Sequence, residues 1–434
     1  MKNIGMVSLG CPKNQVDAEI MLSILKAGGY NIVADEKMAD IIIVNTCGFI
    51  EDAKKEAIEN ILEIAELKKS GSLKLLVMTG CMAERYKNEV KTQLPEVDIV
   101  VGIGSNKDIV NIIENKIESS FADKNELLLS HDRVLSTPFY TAYLKIADGC
   151  DNKCSYCAIP LIRGRFRSRT VEDVLDEAEK LVAGGVKELI LVAQDTTRFG
   201  VDLYGKPMLT ELLKKLSKIE KLRWIRILYA YPDMIDDELI NEIADNEKIV
   251  KYLDIPLQHC DGDVLRAMNR SGNRKSLTAL LLKLRQRVKG ITLRTTFIAG
   301  FPGETEEQFT SLCEFVKEVK FDRMGAFAYS PEEDTPAAEF DNQIPDDIKA
   351  RRLEILMDEQ YFIGDELSQS KIGADIDVLV EGYDDYIKKF YGRGPCDAPD
   401  IDQKIFFEGN ANIGDIVTVH ISDRIEHDLL GVMV

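Results

Sequence analysis

No apolar run in this 434-residue chain is long. The best candidates, 39–44 and 73–78, each span about one strand, against the roughly 18 residues needed to cross a bilayer. A membrane-spanning role is therefore not expected. One lysine precedes the apolar stretch 4–9, which ends in a polar turn and is too short for a signal peptide, so the expected location is cytoplasmic. Histidine is scarce, at four residues, and no histidine–carboxylate arrangement points to general acid–base chemistry. A lone histidine such as His259 is more often structural than catalytic. Positive charge is also in deficit: the formal net charge is −19. That works against non-specific nucleic-acid binding, which needs clustered Lys and Arg, and suits a basic partner or simply a soluble surface. Low-complexity segments and tandem repeats are absent. Gly102-Ile-Gly104 is too short for a dinucleotide fingerprint.

What remains is an ordinary globular balance, 45% hydrophobic and 30% charged, in a chain long enough for two or three domains. Residues 1–118 alternate apolar runs at 4–9, 41–45, 75–79 and 99–101 with amphipathic stretches at 14–28, 50–68, 83–93 and 106–117. This βα rhythm predicts a parallel, flavodoxin-like sheet. Residues 119–140 lack periodicity and read as a linker. Over 141–368, strands at 143–146, 188–193, 224–228, 252–255, 292–298 and 324–328 alternate with helices at 171–183, 208–219, 236–245, 275–289, 304–319 and 345–368. Six βα units are fewer than the eight that close a TIM barrel, so an open (βα)6 partial barrel is expected, with a gap that admits a bulky substrate. From 369 to 434, short strands (375–380, 388–391, 416–419, 429–432) punctuated by glycine predict a small all-β barrel.

The nine cysteines fall into a pattern that cytosolic thiols seldom form without a metal or redox role. Gly149-Cys150-Asp-Asn-Lys-Cys154-Ser-Tyr156-Cys157 is a C-x3-C-x2-C run with no fourth ligand nearby, unlike a zinc site. Three thiolates suit a 4Fe–4S cluster with one iron open, able to chelate S-adenosylmethionine and cleave it reductively to a 5′-deoxyadenosyl radical. The run follows the first barrel strand, on the face where barrel active sites lie. Cys11, Cys47 and Cys81 follow the first three strands of the N-terminal domain. Parallel strands share one C-terminal edge, so three loops could converge there, with Gly10, Gly48 and Gly80 permitting close approach; three unrelated buried loop cysteines are the alternative. Cys260, Cys313 and Cys396 look isolated.

The C-x3-C-x2-C run with its aromatic Tyr156 resembles the radical S-adenosylmethionine superfamily. Ser-Leu-Gly-Cys11-Pro-Lys-Asn, Asn-Thr-Cys47-Gly-Phe and Thr-Gly-Cys81 resemble the N-terminal domain of methylthiotransferases, and the terminal barrel resembles a TRAM domain. The likeness covers nearly the whole chain. It implies a second 4Fe–4S cluster on Cys11, Cys47 and Cys81, S-adenosylmethionine as both methyl donor and radical source, and insertion of a methylthio group at an unactivated C–H bond. A flavodoxin- or ferredoxin-like reductant is implied too. Gly-Cys11-Pro-Lys-Asn resembles the RimO-type branch, which modifies the β-carbon of an aspartate in small-subunit ribosomal protein S-twelve. The rival branch modifies adenosine in transfer RNA, and a rival of another class is a non-catalytic iron–sulfur electron carrier. Over 371–434 there are six Lys/Arg and thirteen Asp/Glu, 6 − 13 = −7. Such a barrel would repel phosphates and could dock a basic ribosomal protein through acids such as Asp384, Asp385 and Asp402.

Weaker signals complete the expected site. Arg163, Arg165, Arg167 and Arg169 alternate, so an extended strand would present them on one face, to hold the target carboxylate, contact ribosomal RNA or lie in solvent. Gln194 and Asp195 end the second barrel strand; Asp195 could bond the ribose or ammonium of S-adenosylmethionine, or cap the next helix. Gln258 after the fourth strand is a similar candidate. Gly300, in Ile298-Ala-Gly300-Phe-Pro302-Gly-Glu304, resembles the superfamily's adenine-contacting stretch, or simply makes a turn.

Overall fold

The structure is a computed structural model describing residues 2–69 and 71–434. The N-terminal sheet comprises β1 (Asn3–Ser8), β2 (Asn31–Ile32), β3 (Ile41–Thr46), β4 (Leu75–Gly80), β5 (Ile99–Val101) and β6 (Ser119–Ser120), all parallel. Their order is β2-β1-β3-β4-β5-β6, the flavodoxin-like order with one strand added. β6 belongs to the segment expected to be a linker; two polar residues carry no apolar signal, and only pairing with β5 reveals them. Helices α1 (Pro12–Ala27), α2 (Glu51–Lys69), α3 (Cys81–Tyr86), α4 (Asn88–Gln93) and α5 (Ile109–Glu114) connect or flank the strands. Pro12 suits a first helical turn, where its missing N–H is no loss. The single helix expected over 83–93 is broken at Lys87, whose φ is +43°, and the first of its two pieces begins earlier, at Cys81.

The central domain carries six parallel strands in the order β7-β10-β11-β12-β13-β14, an open sheet: β7 (Thr141–Lys145), β10 (Glu188–Val192), β11 (Trp224–Ile227), β12 (Ile249–Asp254), β13 (Thr292–Ala299) and β14 (Arg323–Ala328). A small hairpin, β8 (Ala147–Asp148) with β9 (Arg167–Ser168), frames a loop that holds the short helix α6 (Ile159–Arg163). The outer face packs on the surrounding helices in one large core that includes Leu189, Leu191, Leu213, Leu253, Leu293 and Phe315. The inner face is apolar too. There Ile190, Val192, Trp224, Leu228 and Tyr252 meet Val16 and Ile20 of α1 and Leu379 and Ala398 of the C-terminal domain. Part of the open barrel's inner face is therefore covered by its two neighbours.

The C-terminal domain is a closed five-stranded barrel of β15 (Asp375–Asp384), β16 (Lys389–Arg393), β17 (Ile405–Glu408), β18 (Ile416–Ile425) and β19 (Asp428–Met433). β17 was not expected; it closes the barrel by a parallel pairing with β19. Ion pairs join this barrel to the strand starts of the central sheet. Buried Glu188 pairs with Arg226 at 2.9 Å and with Arg393, and Arg323 reaches Asp397. Asp402 is a correction. Expected among the surface acids, its side chain is only 3% exposed, accepting from the Tyr252 hydroxyl at 2.7 Å and the Ala398 N–H at 2.8 Å. Among the described residues no helix is long and apolar enough to cross a membrane.

Candidate active site

The register explains how three cysteines distant in sequence come to one sheet edge. Ser8 lies opposite Asn45, and Asn45 opposite Thr79. Cys11, Cys47 and Cys81 each follow that shared line by two or three residues. Two asparagines lash the loops together. Asn14 Nδ2 donates to the Leu9 carbonyl at 2.7 Å, and Asn45 Nδ2 donates to the Asn14 carbonyl at 2.8 Å. Gly10, with φ +89°, lets the first loop touch the second, since a Cβ there would lie 2.7 Å from Cys47 Cβ. The glycine's close approach is to the neighbouring cysteine loop.

The Cys47 thiol feels both others. Burial, then Cys81, pushes the Cys47 thiol up to about 12. Burial raises Cys81 as well, with Arg163 opposing. Burial also works against ionisation of Cys11, but Lys13, Arg163 and the N–H groups of Lys13 and Asn14 outweigh it and hold this thiol below its ordinary value. Three such thiols, none in a disulfide, are poor company as bare thiolates and a fitting donor set for a positively charged iron cluster. Among the described residues no group of three or more His, Cys, Asp or Glu side chains is drawn close enough to hold a metal ion.

The C-x3-C-x2-C loop is folded over the barrel rim. The Cys150 N–H donates to the Gly164 carbonyl at 3.2 Å, and the Cys157 N–H to the Cys154 carbonyl at 3.0 Å. Burial raises Cys150 to about 11 and lifts Cys157 further, with Cys154 adding to both. Arg270 donates to Cys154 Sγ at 3.7 Å and to the Pro256 carbonyl at 2.6 Å, and its guanidinium lies over the Tyr231 ring. Tyr156 is raised by burial, partly offset by Arg270. Neither Arg270 nor Tyr231 carried a sequence signal.

The other expected residues divide. Asp195 is buried and already satisfied: Oδ1 accepts from the Thr197 hydroxyl at 2.6 Å and the Arg198 N–H at 3.2 Å, and Oδ2 from Asn152 at 2.9 Å. It caps a turn, not a helix, and tethers the cluster loop through Asn152. Gln194 Nε2 donates to Asp148 at 2.9 Å, while its Oε1 has no partner among the described residues. Gln258 adopts φ +71° and forms a bridge with Phe297 through its backbone. Gly300 approaches Lys349 of the long helix Asp346–Gln369; a Cβ there would fall 2.3 Å from Lys349 Cγ. His259 is buried, its Nδ1 accepting from the Asp261 N–H at 2.9 Å.

The four arginines do not share a face, because Arg163 ends α6 and only Arg167 lies in a strand. Arg165 is exposed and pairs with Asp151 at 2.7 Å. Arg167 donates to the Asn125 carbonyl. Arg169 is buried against Asp173 and Glu177. Arg163, 1% exposed, is the functional surprise. It donates to Asp17 at 2.7 Å, Asp148 at 2.8 Å, Asn14 Oδ1 at 3.1 Å and Cys81 Sγ at 3.4 Å. Lys145 joins it, bonding both Asp17 and Asp148. Burial pushes Asp148 up, but Arg163 and Lys145 outweigh that and hold it well below the carboxylate range. Cys81 also packs on Ala158 and Ile162, directly after Cys157. Cys81 thus lies, across the domain junction, against the segment that follows Cys157.

An open six-stranded parallel barrel with three thiols on its rim defines the class: a radical S-adenosylmethionine enzyme. Residues 144–316 match the radical SAM superfamily, 3–102 the "Uncharacterized protein family UPF0004" and 372–434 the TRAM domain. Among solved structures, the radical S-adenosylmethionine methyltransferase TsrM from Kitasatospora setae, with cobalamin and a 4Fe–4S cluster bound, superposes with a TM-score of 0.57 at 15% identity, covering 77% of each chain. The cobalamin-dependent radical enzyme OxsB gives 0.53 at 12% identity, over 84% of this chain and 58% of that one. These likenesses concern the fold. Sequence relatives are far closer. "Ribosomal protein uS12 methylthiotransferase RimO" of Thermoanaerobacter sp. is 51% identical over 99% of this chain and 100% of its own. The proteins of that name from Desulforamulus reducens and Clostridioides difficile are each 48% identical, covering 99% of this chain and 99% and 98% of their own. The chain belongs to the ribosomal protein uS12 methylthiotransferase family.

Proposed function

We propose that this chain adds a methylthio group to the β-carbon of an aspartate in ribosomal protein uS12, using two 4Fe–4S clusters and S-adenosylmethionine. Cys150, Cys154 and Cys157 would hold one cluster; Cys11, Cys47 and Cys81 would hold the other. When bound, the first supplies radical hydrogen abstraction and the second carries the sulfur to be transferred. The observation that carries the reading is the junction itself: Arg163 bonds both Cys81 and Asp148, and Asp148 lies two residues before Cys150. Hydrogen removal and sulfur delivery must reach one carbon, and a buried network that ties the Cys81 loop to the strand before Cys150 supports such a reading. Arg270 orients the Cys154 loop, Asp195 steadies it through Asn152, and Gln194 offers a free carbonyl oxygen to a cofactor ammonium or hydroxyl. Electrons would come from a small flavodoxin- or ferredoxin-like donor.

The acids of the C-terminal barrel support a basic protein partner over transfer RNA, since Asp375, Asp377, Asp385, Glu408, Asp423 and Glu426 are exposed and would repel phosphates. Anaerobic reconstitution tests the two-site reading. The wild-type chain should bind about eight irons, two clusters of four. Replacing Cys11, Cys47 and Cys81 together by Ala should remove about half and abolish methylthiolation. Full iron in the triple variant would refute the N-terminal site. Mass spectrometry of ribosomal proteins and transfer RNA, from cells with and without the gene, tests the substrate.

A further inference from the structure

Lys13 is buried in an unusual way. It is 7% exposed, yet no carboxylate among the described residues pairs with it. Its Nζ sits 3.4 Å from the centroid of the Tyr229 ring, and the groups acting on its charge are Tyr229, Cys11 and Arg163. The other buried or half-buried cations of this junction are answered. Lys145 and Arg163 share Asp17 and Asp148, Arg294 pairs with Asp254 at 2.8 Å, and Arg270 uses its fork on a sulfur and a carbonyl. A buried ammonium has three donors to satisfy, and a ring face meets only part of that need.

The surroundings say where this cation points. Tyr229 follows β11 at the C-terminal rim of the barrel, with a left-handed backbone at φ +60°. That conformation is costly for a bulky residue. It is held by Asp254, which accepts from the Tyr229 N–H at 3.1 Å, and by the Thr196 N–H, which donates to the Tyr229 carbonyl at 3.1 Å. Two residues on, Tyr231 stacks with Arg270, the partner of Cys154. One short loop therefore offers Tyr229 to the Cys11 set and Tyr231 to the Cys150–Cys157 set. Lys13 lies at the Tyr229 end of that loop.

We propose that Lys13, backed by Tyr229, is the specificity determinant that binds the side-chain carboxylate of the target aspartate. This rests on the function proposed above and names the residue that reads its substrate. The chemistry fits because the carboxylate is one bond from the β-carbon, so an ionic anchor fixes the reacting carbon within the gap between the sites. It would also bring a carboxylate to an ammonium that otherwise faces, among the described residues, only the Tyr229 side chain and the Cys11 thiol.

The test uses the reconstituted holoenzyme and two peptides spanning the modified aspartate of uS12, one native and one with asparagine in its place. Binding is followed by fluorescence anisotropy, methylthiolation by mass spectrometry, and the N-terminal cluster by electron paramagnetic resonance. Wild type should prefer the aspartate peptide by about ten- to a hundredfold, the range for a charge-assisted bond. Lys13→Gln should erase that preference by weakening the aspartate peptide alone, with an unaltered cluster spectrum. Lys13→Arg should keep a preference for aspartate, and it decides the matter if Lys13→Gln fails to hold iron. A preference surviving in Lys13→Gln would overturn the assignment while leaving the proposed function standing. Equal loss of both peptides with a shifted cluster spectrum would also overturn it, making Lys13 a tuner of the cluster. If wild type neither binds nor modifies the native peptide, the proposed function falls with it.

Discussion

Arg163 bonds four partners, and its chain neighbours supply none of them: Asn14, Asp17 and Cys81 come from the N-terminal domain and Asp148 from the preceding hairpin strand. Two cations, Arg163 and Lys145, face two anions, Asp17 and Asp148, so the buried cluster is balanced only while all four remain. Removing one member of such a group strands the rest, at a cost of about 3–5 kcal/mol. Arg163→Met should therefore lower stability by about that amount in chemical denaturation. Arg163→Lys should recover part of it, because an ammonium keeps the charge but lacks the planar fork. The six cysteines proposed to hold clusters stood out by spacing and by their places after strands. The roles of Arg163, Lys13 and Arg270 did not, because a cation's role depends on partners brought to it by folding. The alternation of Arg163, Arg165, Arg167 and Arg169 misled for the same reason: a periodicity of two means one face only in an extended strand, and α6 bends the first of them inward.

At the level of elements, long periodic segments were readable and short ones were not. The helix expected over 171–183 stands as Val171–Ala183, with Thr170 accepting from the Asp173 N–H as its cap at 3.2 Å. The four- to six-residue helices such as Val201–Tyr204 and Gly262–Ala267 contain too few turns for a pattern. The hairpin β8–β9 and strand β17 owe their existence to pairing, which no local window contains. Loop geometry matters most at Gly10. There φ is +89° and an added Cβ would meet Cys47 Cβ at 2.7 Å and Sγ at 3.0 Å. A side chain would strain the backbone and push the Cys11 and Cys47 loops apart. Gly10→Ala should cost the reconstituted protein about half its iron, by loss of one of the two four-iron clusters proposed above, and with it methylthiolation. The expected signature is iron falling to the level of the Cys11, Cys47 and Cys81 triple variant; retention of wild-type iron would show that the loops tolerate separation.

Taken whole, the molecule is an open barrel covered by its neighbours, and the junction with the C-terminal barrel adds buried ion pairs to apolar packing. The three architectures were readable from element order, but their assembly was not, since Glu188 and Arg393 are 205 residues apart in sequence. Burial pushes the Glu188 carboxyl up, but Arg393 and Arg226 outweigh it and hold it below the ordinary value of 4.5. The unfolded chain therefore takes up this proton at higher pH than the folded one. Its stabilising contribution is complete above about pH 4.5 and is lost as pH falls through the folded value. Glu188→Gln should flatten the acid limb of stability against pH, measured by denaturant unfolding between about pH 3 and 5, and should lower stability at neutral pH.

The same junction decides which acids can meet a partner. Asp402 is committed to Tyr252, Ala398 and Arg323, so reversing its charge would damage the docking of the barrel and say nothing about recognition. Asp385, Asp423 and Glu426 are exposed and are the proper targets. Replacing all three by Lys changes the domain's charge by six units, from −7 to −1. If a basic ribosomal protein docks here, the triple reversal should slow its modification, and the defect should shrink as salt rises, because exposed charges are screened beyond about 8–10 Å near physiological ionic strength. Affinity for transfer RNA should rise in the same variant, since negative charge has been cleared from the approach of phosphates. Salt weakens both partnerships alike, so the sign of the reversal is the informative quantity. Faster modification of the ribosomal protein by the triple variant would remove the acidic face from its recognition.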